Sequence, residues 1–398
     1  MTTASVSEPD PLAELEELSR RPVLDLAGLD RPLRLESVET LRIDGVHALR
    51  IRDDQGGSGL AFPGEAKFPF LIELMRKRLL PVLLGRDLRE WESLHEEVYR
   101  ALSNYKLQGL AFWMPFAALE FAVLDLLGHY LGKPIGALLG ERRCDGVAVY
   151  QAFHDRSLPA QQLALEIERR LAETGARAVK FKLGGRMSRD ADCLPGRSEE
   201  LPGLLRGKLG ADMTLYGDAN GSYRPAEAIR IGRILEEAGV AFFEEPCPFD
   251  HFEDTLTVAR ALDIDIAGGE QDSSHYNLLW LLARGGLQVV QPDLFYGGGM
   301  VRARRIARAA EAVGATCAPH ISGDGLGSLY MAHFVSALPN AAPFHEYKDE
   351  PIIPASFLDG SPVRAREGRF PVPDAPGLGI EIDPDWLARA ERLSFDSA

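Results

Sequence analysis

Residues that could act as acids, bases or metal ligands recur at regular intervals in this chain. They end short apolar runs, and from Lys182 onward their separations are 36, 26, 26, 23, 27 and 26 residues. In chain order the set is Lys180 and Lys182, Asp218 and Asn220, Glu244 and Glu245, Glu270, Asp293, His320 and Glu346. About 26 residues make one strand and one helix, so the spacing predicts equivalent positions on successive parallel strands. The side chains should meet at the carboxyl end of one barrel.

Three of these residues are carboxylates on consecutive predicted strands, Asp218, Glu244 and Glu270. Unpaired in one cleft, they would repel each other and raise each other's pKa. A hard divalent cation removes that repulsion, and an oxygen-only ligand set favours Mg²⁺. A single acidic residue at a strand end more often caps the next helix, so the prediction depends on three of them at matching positions.

Two further pairs could move protons. Lys180 and Lys182 share one side of a predicted strand, and their apolar flanks (AVKFKLG) direct both into the barrel. Held close together, each lysine would disfavour protonation of the other, and a lysine with a lowered pKa can act as a base. Asp293 and His320 end neighbouring strands, where the carboxylate can fix the imidazole tautomer and leave the other nitrogen as acid or base.

The segments that carry these residues predict two architectural parts. Alternating apolar positions from Leu33 to Phe62, broken by glycine turns, indicate an antiparallel meander, and helical spacing follows over 70–84, 89–102 and 115–131. Beyond residue 140, eight apolar runs alternate with amphipathic stretches, the pattern of a (β/α)₈ barrel. The predicted organisation is an N-terminal extension (1–30), an α+β domain (31–140), a (β/α)₈-type barrel (141–353) and a C-terminal segment that returns to the first domain (354–398).

Composition excludes some classes of function. The 398 residues include 44 Lys+Arg and 59 Asp+Glu, and a net charge of −15 argues against a nucleic-acid partner. No apolar run approaches the roughly 18 residues of a membrane span, and the N-terminus shows no secretory signal. The four cysteines form no C-x-x-C pair, which is typical of reduced cysteines in a cytoplasmic protein.

The chain resembles the enolase superfamily, mandelate racemase subgroup, in the order of its motifs. These are K-x-K, D-x-N, E-E-P and G-G-E, followed by an aspartate and a histidine. The segment DLLGHYLGKPIGALLG (125–140) extends the resemblance into the first domain. The resemblance implies a modified TIM barrel with an N-terminal α+β capping domain, and a homo-oligomer. It further implies that Asp218, Glu244 and Glu270 bind Mg²⁺.

The same resemblance implies roles for the remaining residues. Lys182 would be the base on one face of the substrate, and His320, oriented by Asp293, the acid or base on the other. Lys180 would tune Lys182 and contact the substrate carboxylate. The other expectations place Asn220 beside the metal, Glu346 in a hydrogen bond to the enolate oxygen and Glu245 in a structural pair near the lysines. Muconate-lactonising relatives carry a lysine where this chain has Asp293, so that branch is set aside.

The resulting hypothesis is Mg²⁺-dependent removal of the α-proton of a small hydroxy-carboxylate. Dehydration of an aldonate or aldarate to a 2-keto-3-deoxy acid is the first choice, and racemisation or epimerisation by Lys182 and His320 is the alternative. A barrel that only binds a sugar acid has no need of bases on two faces. An aldolase-type Schiff base is disfavoured by three carboxylates around the lysine.

Two segments can each be interpreted in more than one way. The polar stretch 184–200 either covers the mouth, with Arg186 or Arg197 binding a second anionic group, or is an ordinary surface insertion. In the first domain, Tyr105 and Lys106 are candidates for shaping specificity.

Overall fold

The computed structural model describes the chain in four stretches, 10–64, 67–321, 326–348 and 355–396. The first nine residues of the predicted extension therefore lie outside the described residues, as does residue 354 at the start of the predicted C-terminal segment.

The N-terminal part combines a meander with helices. Its elements in chain order are α1 (Pro11–Ser19), β1 (Leu35–Ile43), β2 (Val46–Asp53), β3 (Ser58–Ala61), α2 (Phe68–Leu74), α3 (Leu80–Leu83), α4 (Trp91–Arg100), α5 (Leu110–Leu131) and α6 (Ile135–Leu139). Strands β1, β2 and β3 pair antiparallel. The tight turn between β1 and β2 has positive φ at both Asp44 (50°) and Gly45 (82°), which suits the twist of a hairpin.

Two helix boundaries differ from the sequence prediction. The helix predicted over 89–102 ends at Arg100, because Leu102 and Ser103 adopt left-handed φ values of 52° and 58°. The helix predicted from residue 115 begins at Leu110, directly after Gly109. Its Pro115 is the sixth residue, inside the helix, where it lacks the N–H that would otherwise donate to the carbonyl of Ala111.

The expectation that no apolar run approaches the length of a membrane span is wrong for helix α5, which is long and apolar enough to cross a membrane by length and composition alone. Of its most apolar 18-residue window, however, 89% is buried inside the protein. The buried carboxylate of Glu120 accepts from Trp91 Nε1 of α4 (3.0 Å) and from the backbone N–H of Val301 (3.0 Å). This helix is therefore the core element that joins the capping domain to the barrel.

The barrel contains all eight predicted strands. They are β4 (Gly146–Ala152), β5 (Ala178–Lys182), β6 (Thr214–Asp218), β7 (Phe242–Glu244), β8 (Asp265–Gly268), β9 (Val289–Val290), β10 (Thr316–Cys317) and β11 (His345–Tyr347). The helices between them are α7 (Ala160–Thr174), α8 (Arg197–Leu209), α9 (Pro225–Glu237), α10 (Phe252–Ala261), α11 (His275–Ala283), α12 (Met300–Ala312) and α13 (Gly327–Ser336).

The strands pair in parallel in chain order from β4 to β10, and β11 pairs with β4. A parallel bridge between Cys317 and Ala341, just before β11, closes the ring. The predicted class, a barrel with an N-terminal capping domain, is confirmed.

The C-terminal segment returns across the molecule. Its elements are β12 (Ala355–Phe357), β13 (Arg369–Pro371), β14 (Ile380–Ile382), α14 (Pro384–Ala388) and β15 (Glu391–Asp396). Strand β13 pairs with β4 of the barrel, and β15 pairs antiparallel with β1 of the capping domain. The edge of the N-terminal sheet is thus covered by the end of the same chain.

A small apolar layer separate from the main core fills the barrel interior, with one residue from each strand or its immediate flank. Its members are Tyr150, Ala178, Tyr216, Phe242, Ala267, Val289, Ala318 and Ala342. Tyr216 stacks on Phe242 with ring centroids 3.9 Å apart. Side chains along a strand return to the same face every two residues, so the next inward position lies closer to the mouth. That position begins the polar site.

Candidate functional site

Polar residues form a second and third level above this apolar floor. Two positions after their floor residues stand Lys180 on β5, Asp218 on β6 and Glu244 on β7. Two residues further along come Lys182, at the end of β5, and Asn220, just after β6. The two-residue period of each strand therefore carries these side chains into one interior, and all five are buried.

The two lysines pair with two different carboxylates. Lys180 Nζ lies 2.9 Å and 3.0 Å from the two carboxylate oxygens of Glu244, and 3.8 Å from Oδ2 of Asp218. Lys182 Nζ donates to Asp218 Oδ2 and, over 3.0 Å, to Asn220 Oδ1. The ring of Tyr150 lies beneath Lys180, with the ammonium 5.3 Å from the ring centroid.

The ionisation of this cluster is set by opposing effects. Burial opposes the charged form of Lys180, but Glu244 and Glu346 outweigh it and hold the pKa of Lys180 well above its usual range. The expectation of a lowered pKa is therefore wrong for Lys180, because carboxylates surround it more closely than a second lysine does. Burial, with the nearby charge of Asp218, raises the pKa of Glu244 to about 8.

Asp218 shows the opposite balance. Burial disfavours its ionised form, but the charges of Lys182 and Lys180 outweigh burial and lower the pKa of Asp218 to about 2. Its Oδ1 accepts from the backbone N–H of Asn220 over 2.8 Å. The cluster consequently holds one firmly ionised carboxylate beside one that is easily protonated.

The opposite side of the barrel carries an imidazole. His320 Nδ1 lies 2.6 Å from Asp293 Oδ2, and His320 Nε2 lies 3.4 Å from both Glu270 Oε2 and Glu346 Oε2. Burial opposes protonation of His320, but the charges of Glu270, Glu346 and Asp293 outweigh burial and raise its pKa to about 9. The ring is therefore cationic near neutral pH and can act as a proton donor.

Glu346 connects the two sides of the site. Its Oε2 lies 3.4 Å from His320 Nε2 and 3.8 Å from Lys180 Nζ. Burial acts in the opposite direction, yet these two cations lower the pKa of Glu346 well below its usual range. An ionised carboxylate accepts hydrogen bonds but cannot donate one, so donation by Glu346 to an enolate oxygen stays a prediction.

Two residues that contact the polar cluster were not predicted from the sequence. The buried Gln291, two residues before Asp293, donates from Nε2 to Glu244 Oε2 over 2.9 Å. Arg156, four residues after β4, donates from Nη2 to Asn220 Oδ1 over 2.7 Å. The i, i+2 pattern that identified the lysines would also have identified Gln291, whereas nothing in the spacing singles out Arg156.

Glu245 has a partner near the lysines, and that partner is the amide of Asn220, which also contacts Lys182. Its Oε2 accepts from Asn220 Nδ2 at 3.4 Å, and its Oε1 is buried with no hydrogen-bond partner among the described residues. Burial and the charge of Glu270 raise the pKa of Glu245 well above its usual range. The side chain therefore adds to the excess of acidic groups at this point.

Arg197 does not bind an anion in this structure. It is buried, and its Nε, Nη1 and Nη2 donate to the backbone carbonyls of Leu158, Lys182 and Asp155 at 2.9, 2.8 and 3.0 Å. Its guanidinium therefore ties together the ends of β4 and β5. Arg186, the other candidate in this stretch, is exposed at a left-handed φ of 58°.

The first-domain candidates lie away from the cluster. Tyr105 is 48% exposed, and Lys106 lines an outer groove of about 550 Å³ with Lys77 and Arg78. Within the described parts of the chain, no hydrogen bond or ion pair joins Tyr105 or Lys106 to the barrel site. The proposed contribution of these two residues to specificity has no support in these contacts.

Comparisons with known proteins agree with this geometry. The family model described as "Enolase C-terminal domain-like" matches residues 162–386. D-galactarolactone cycloisomerase of Agrobacterium fabrum is 30% identical over 77% of this chain and 81% of that protein. Arabinonate dehydratase of Saccharolobus solfataricus is 26% identical over 91% of this chain and 92% of that protein.

A solved structure shares the whole architecture. The mandelate racemase/muconate lactonizing protein from Paracoccus denitrificans, crystallised with magnesium, superposes with a TM-score of 0.79 at 27% identity. The superposition covers 91% of this chain and 99% of that one. The family model matches the barrel from α7 onward, and a lysine pair, acidic residues on successive strands and an Asp–His pair surround one mouth. This chain therefore belongs to the enolase superfamily, in its mandelate racemase subgroup.

Proposed function

We propose that this protein removes the α-proton of a sugar acid and expels the β-hydroxyl as water, which gives a 2-keto-3-deoxy acid. The observation that carries the proposal is the placement of two proton-transfer groups, Lys182 and His320, on different strands around one buried carboxylate cluster. The names of two similar proteins, arabinonate dehydratase and D-galactarolactone cycloisomerase, support a sugar-acid substrate or its lactone.

The donor set fits Mg²⁺. Asp218, Glu244 and Glu270 are buried carboxylates on consecutive strands, and the raised pKa of Glu244 shows that their charge is not fully compensated by the lysines. No three such groups within the described residues are arranged around one metal position, since Lys180 and Lys182 contact Glu244 and Asp218 directly. We infer that these three carboxylates hold Mg²⁺, which when bound supplies positive charge that stabilises a substrate whose α-proton has been removed.

The protein's own groups account for the proton transfers. Lys182, as the neutral amine, accepts the α-proton on one face of the substrate, and the electron pair of the broken C–H bond forms the new carbon–carbon double bond. His320, held as a cation, donates its Nε2 proton to the departing β-hydroxyl, which leaves as water. The resulting enol becomes the 2-keto-3-deoxy acid by taking up a proton at the β-carbon and losing the proton of its enol hydroxyl.

Neighbouring groups position Lys182, His320 and the substrate. Asp293 accepts from Nδ1 of His320 and thereby directs Nε2 toward the interior. Lys180 stays protonated in a buried position near Glu244 and Glu346, where a cation attracts the substrate carboxylate. Asn220 contacts Lys182 and Glu270 and lies beside the proposed metal ligands.

A panel of acid sugars tests the proposal. The protein with Mg²⁺ should form a 2-keto acid from at least one aldonate or aldarate, and α-proton exchange in D₂O should accompany turnover. Deuterium incorporation into substrate without keto product would replace dehydration by racemisation or epimerisation. Tight binding without any exchange would overturn the enzymatic proposal in favour of a sugar-acid-binding barrel.

A further inference from the structure

The side-chain amide of Asn220 is held at both ends. Asn220 follows β6 in a left-handed conformation (φ 42°) and is 5% exposed. Its Oδ1 accepts from Arg156 Nη2 at 2.7 Å and from Lys182 Nζ at 3.0 Å. Its Nδ2 donates to Glu245 Oε2 at 3.4 Å and to Glu270 Oε1 at 3.3 Å.

These four contacts determine how the amide points. Two donors face its oxygen, and two carboxylates face its nitrogen. Rotating the amide by 180° would place the NH₂ group against Arg156 and Lys182, and the carbonyl oxygen against Glu245 and Glu270. Arg156 cannot accept a hydrogen bond from that NH₂ group, and an ionised Glu270 cannot donate one to the carbonyl oxygen, so both contacts would be lost, and buried polar groups without partners are costly. The amide therefore has one favourable orientation, and the nearer of the two cations at its oxygen is Arg156.

Arg156 is itself fixed by the barrel backbone. It is half-buried, lies just beyond β4, and donates from Nε to the carbonyl of Leu183 at 3.4 Å as well as to Asn220. It thereby spans the ends of β4, β5 and β6. Arg197 spans the ends of β4 and β5 too, but donates only to backbone carbonyls. Of these two guanidinium groups, Arg156 alone reaches a side chain that contacts Lys182.

We propose that Arg156 is a positioning residue for the base Lys182, and that it acts through Asn220. This inference rests on the proposed function, since it assigns Lys182 as a base. With Arg156 in place, Asn220 Oδ1 stays directed at Lys182 and holds the amine toward one face of the substrate. Without Arg156, one of the two donors that fix the amide is lost, and the amide and the amine it orients become mobile.

The test uses the two C2-epimers of a sugar-acid substrate, because each presents its α-proton to a different base. In Arg156→Met, exchange of the epimer that faces Lys182 should fall about tenfold to a hundredfold, the scale of a base displaced by about 1 Å. Exchange of the epimer that faces His320 should change less than about threefold, and KM should stay similar. Arg156→Lys keeps a cationic donor and should restore most of the loss. Arg169→Gln on the outer surface of α7 is the matched control for loss of an arginine.

The outcomes separate this inference from the proposed function. Suppose that the wild type exchanges α-protons. Equal falls in the exchange rates of both epimers in Arg156→Met, or no fall for either epimer, would then overturn the positioning role of Arg156. A wild type that exchanges neither epimer of any acid sugar would overturn the proposed function, and this inference with it.

A second readout does not depend on activity. In ¹⁵N-labelled wild type, the Asn220 side-chain amide, assigned by its loss in Asn220→Asp, should give sharp paired signals. Those signals should broaden in Arg156→Met and recover in Arg156→Lys. Sharp, unshifted signals in Arg156→Met would overturn the proposal. If Arg156→Met does not fold, Arg156→Ala takes its place, with the same broadening expected and the same result, sharp and unshifted signals, overturning the proposal.

Discussion

His320 and Asp293 are joined through both backbone and side chain. Their strands form a parallel bridge at these two residues, and His320 Nδ1 lies 2.6 Å from Asp293 Oδ2. The other oxygen of Asp293 accepts from the backbone N–H groups of Phe295 and Tyr296. Because the carboxylate is held by the following turn, the imidazole has little freedom to rotate, and Nε2 is directed at Glu270 and Glu346.

Replacing Asp293 by Asn should impair His320 in two ways. The ring loses the acceptor that fixes its tautomer, so kcat should fall about 10²-fold to 10⁴-fold. The pKa of His320 should also fall from about 9, because one of the charges that raise it is removed. His320 acts as an acid only while it is protonated, and with a lower pKa it loses that proton at a lower pH than in the wild type. The alkaline limb of the pH–rate profile should therefore shift to lower pH. An unmoved limb would contradict this, and Asp265→Asn at the opposite end of the barrel is the control.

Replacing Lys182 by Met should remove the base without removing the barrel. Exchange of the α-proton that faces Lys182 should fall about 10²-fold to 10⁴-fold, as expected for loss of a general base. Proton NMR in D₂O measures the exchange, and circular dichroism verifies folding. Lys208→Met, which removes an ammonium group from the surface of α8, should leave exchange intact. Persistent exchange in Lys182→Met would reassign the base.

Mg²⁺ binding should release a proton near neutral pH. The pKa of Glu244 is raised to about 8, chiefly by burial and by Asp218, so part of the population carries a proton on this carboxyl near neutral pH without metal. A metal ligand must be deprotonated, and binding therefore expels that proton. Calorimetry in buffers of different ionisation enthalpy counts the released protons.

Two variants make that measurement specific to the site. Glu244→Gln should bind Mg²⁺ more weakly and release fewer protons, whereas Glu166→Gln on the surface of α7 should behave as the wild type. Binding without proton release would show that Glu244 is already ionised or is not a ligand.

Stability should decrease as the pH falls below about 6.5. The buried His333 accepts from the N–H of Gly136 at Nδ1 and lies 3.1 Å from the carbonyl of Leu378 at Nε2, and burial lowers its pKa to about 4. Between pH 6.5 and 4 the unfolded chain binds a proton that the folded chain does not. The free energy of unfolding should therefore fall by about 1.4 kcal/mol per pH unit from this group.

Denaturant unfolding at pH 7 and pH 5 measures that slope. His333→Gln should flatten it, while the exposed His251→Gln should leave it unchanged. Some slope should remain in His333→Gln, because burial also lowers the pKa of His345 to about 4. An identical slope in wild type and His333→Gln would show that His333 is protonated in the folded protein.

Spacing along the chain was sufficient to predict the barrel and the residues around its mouth. A strand followed by a helix returns the chain to the same end of the barrel, so Asp218, Glu244 and Glu270 can be placed on successive strand ends without coordinates. The alternation of side chains similarly shows that Lys180 and Lys182 face the interior. These inferences need only the local geometry of the chain.

The partners and charge balance of these groups depend on contacts between strands that are distant in sequence. Lys180 was expected to have a lowered pKa, but Glu244 and Glu346 raise it, and Arg197 was a candidate anion ligand, but backbone carbonyls occupy it. Arg156 reaches Asn220 across 64 residues of sequence. Backbone periodicity is local, so the residues at the mouth follow from the order of strands and helices along the chain. Their contacts depend on the folded barrel, because short-range electrostatics and hydrogen bonds depend on distances that closure of the barrel sets.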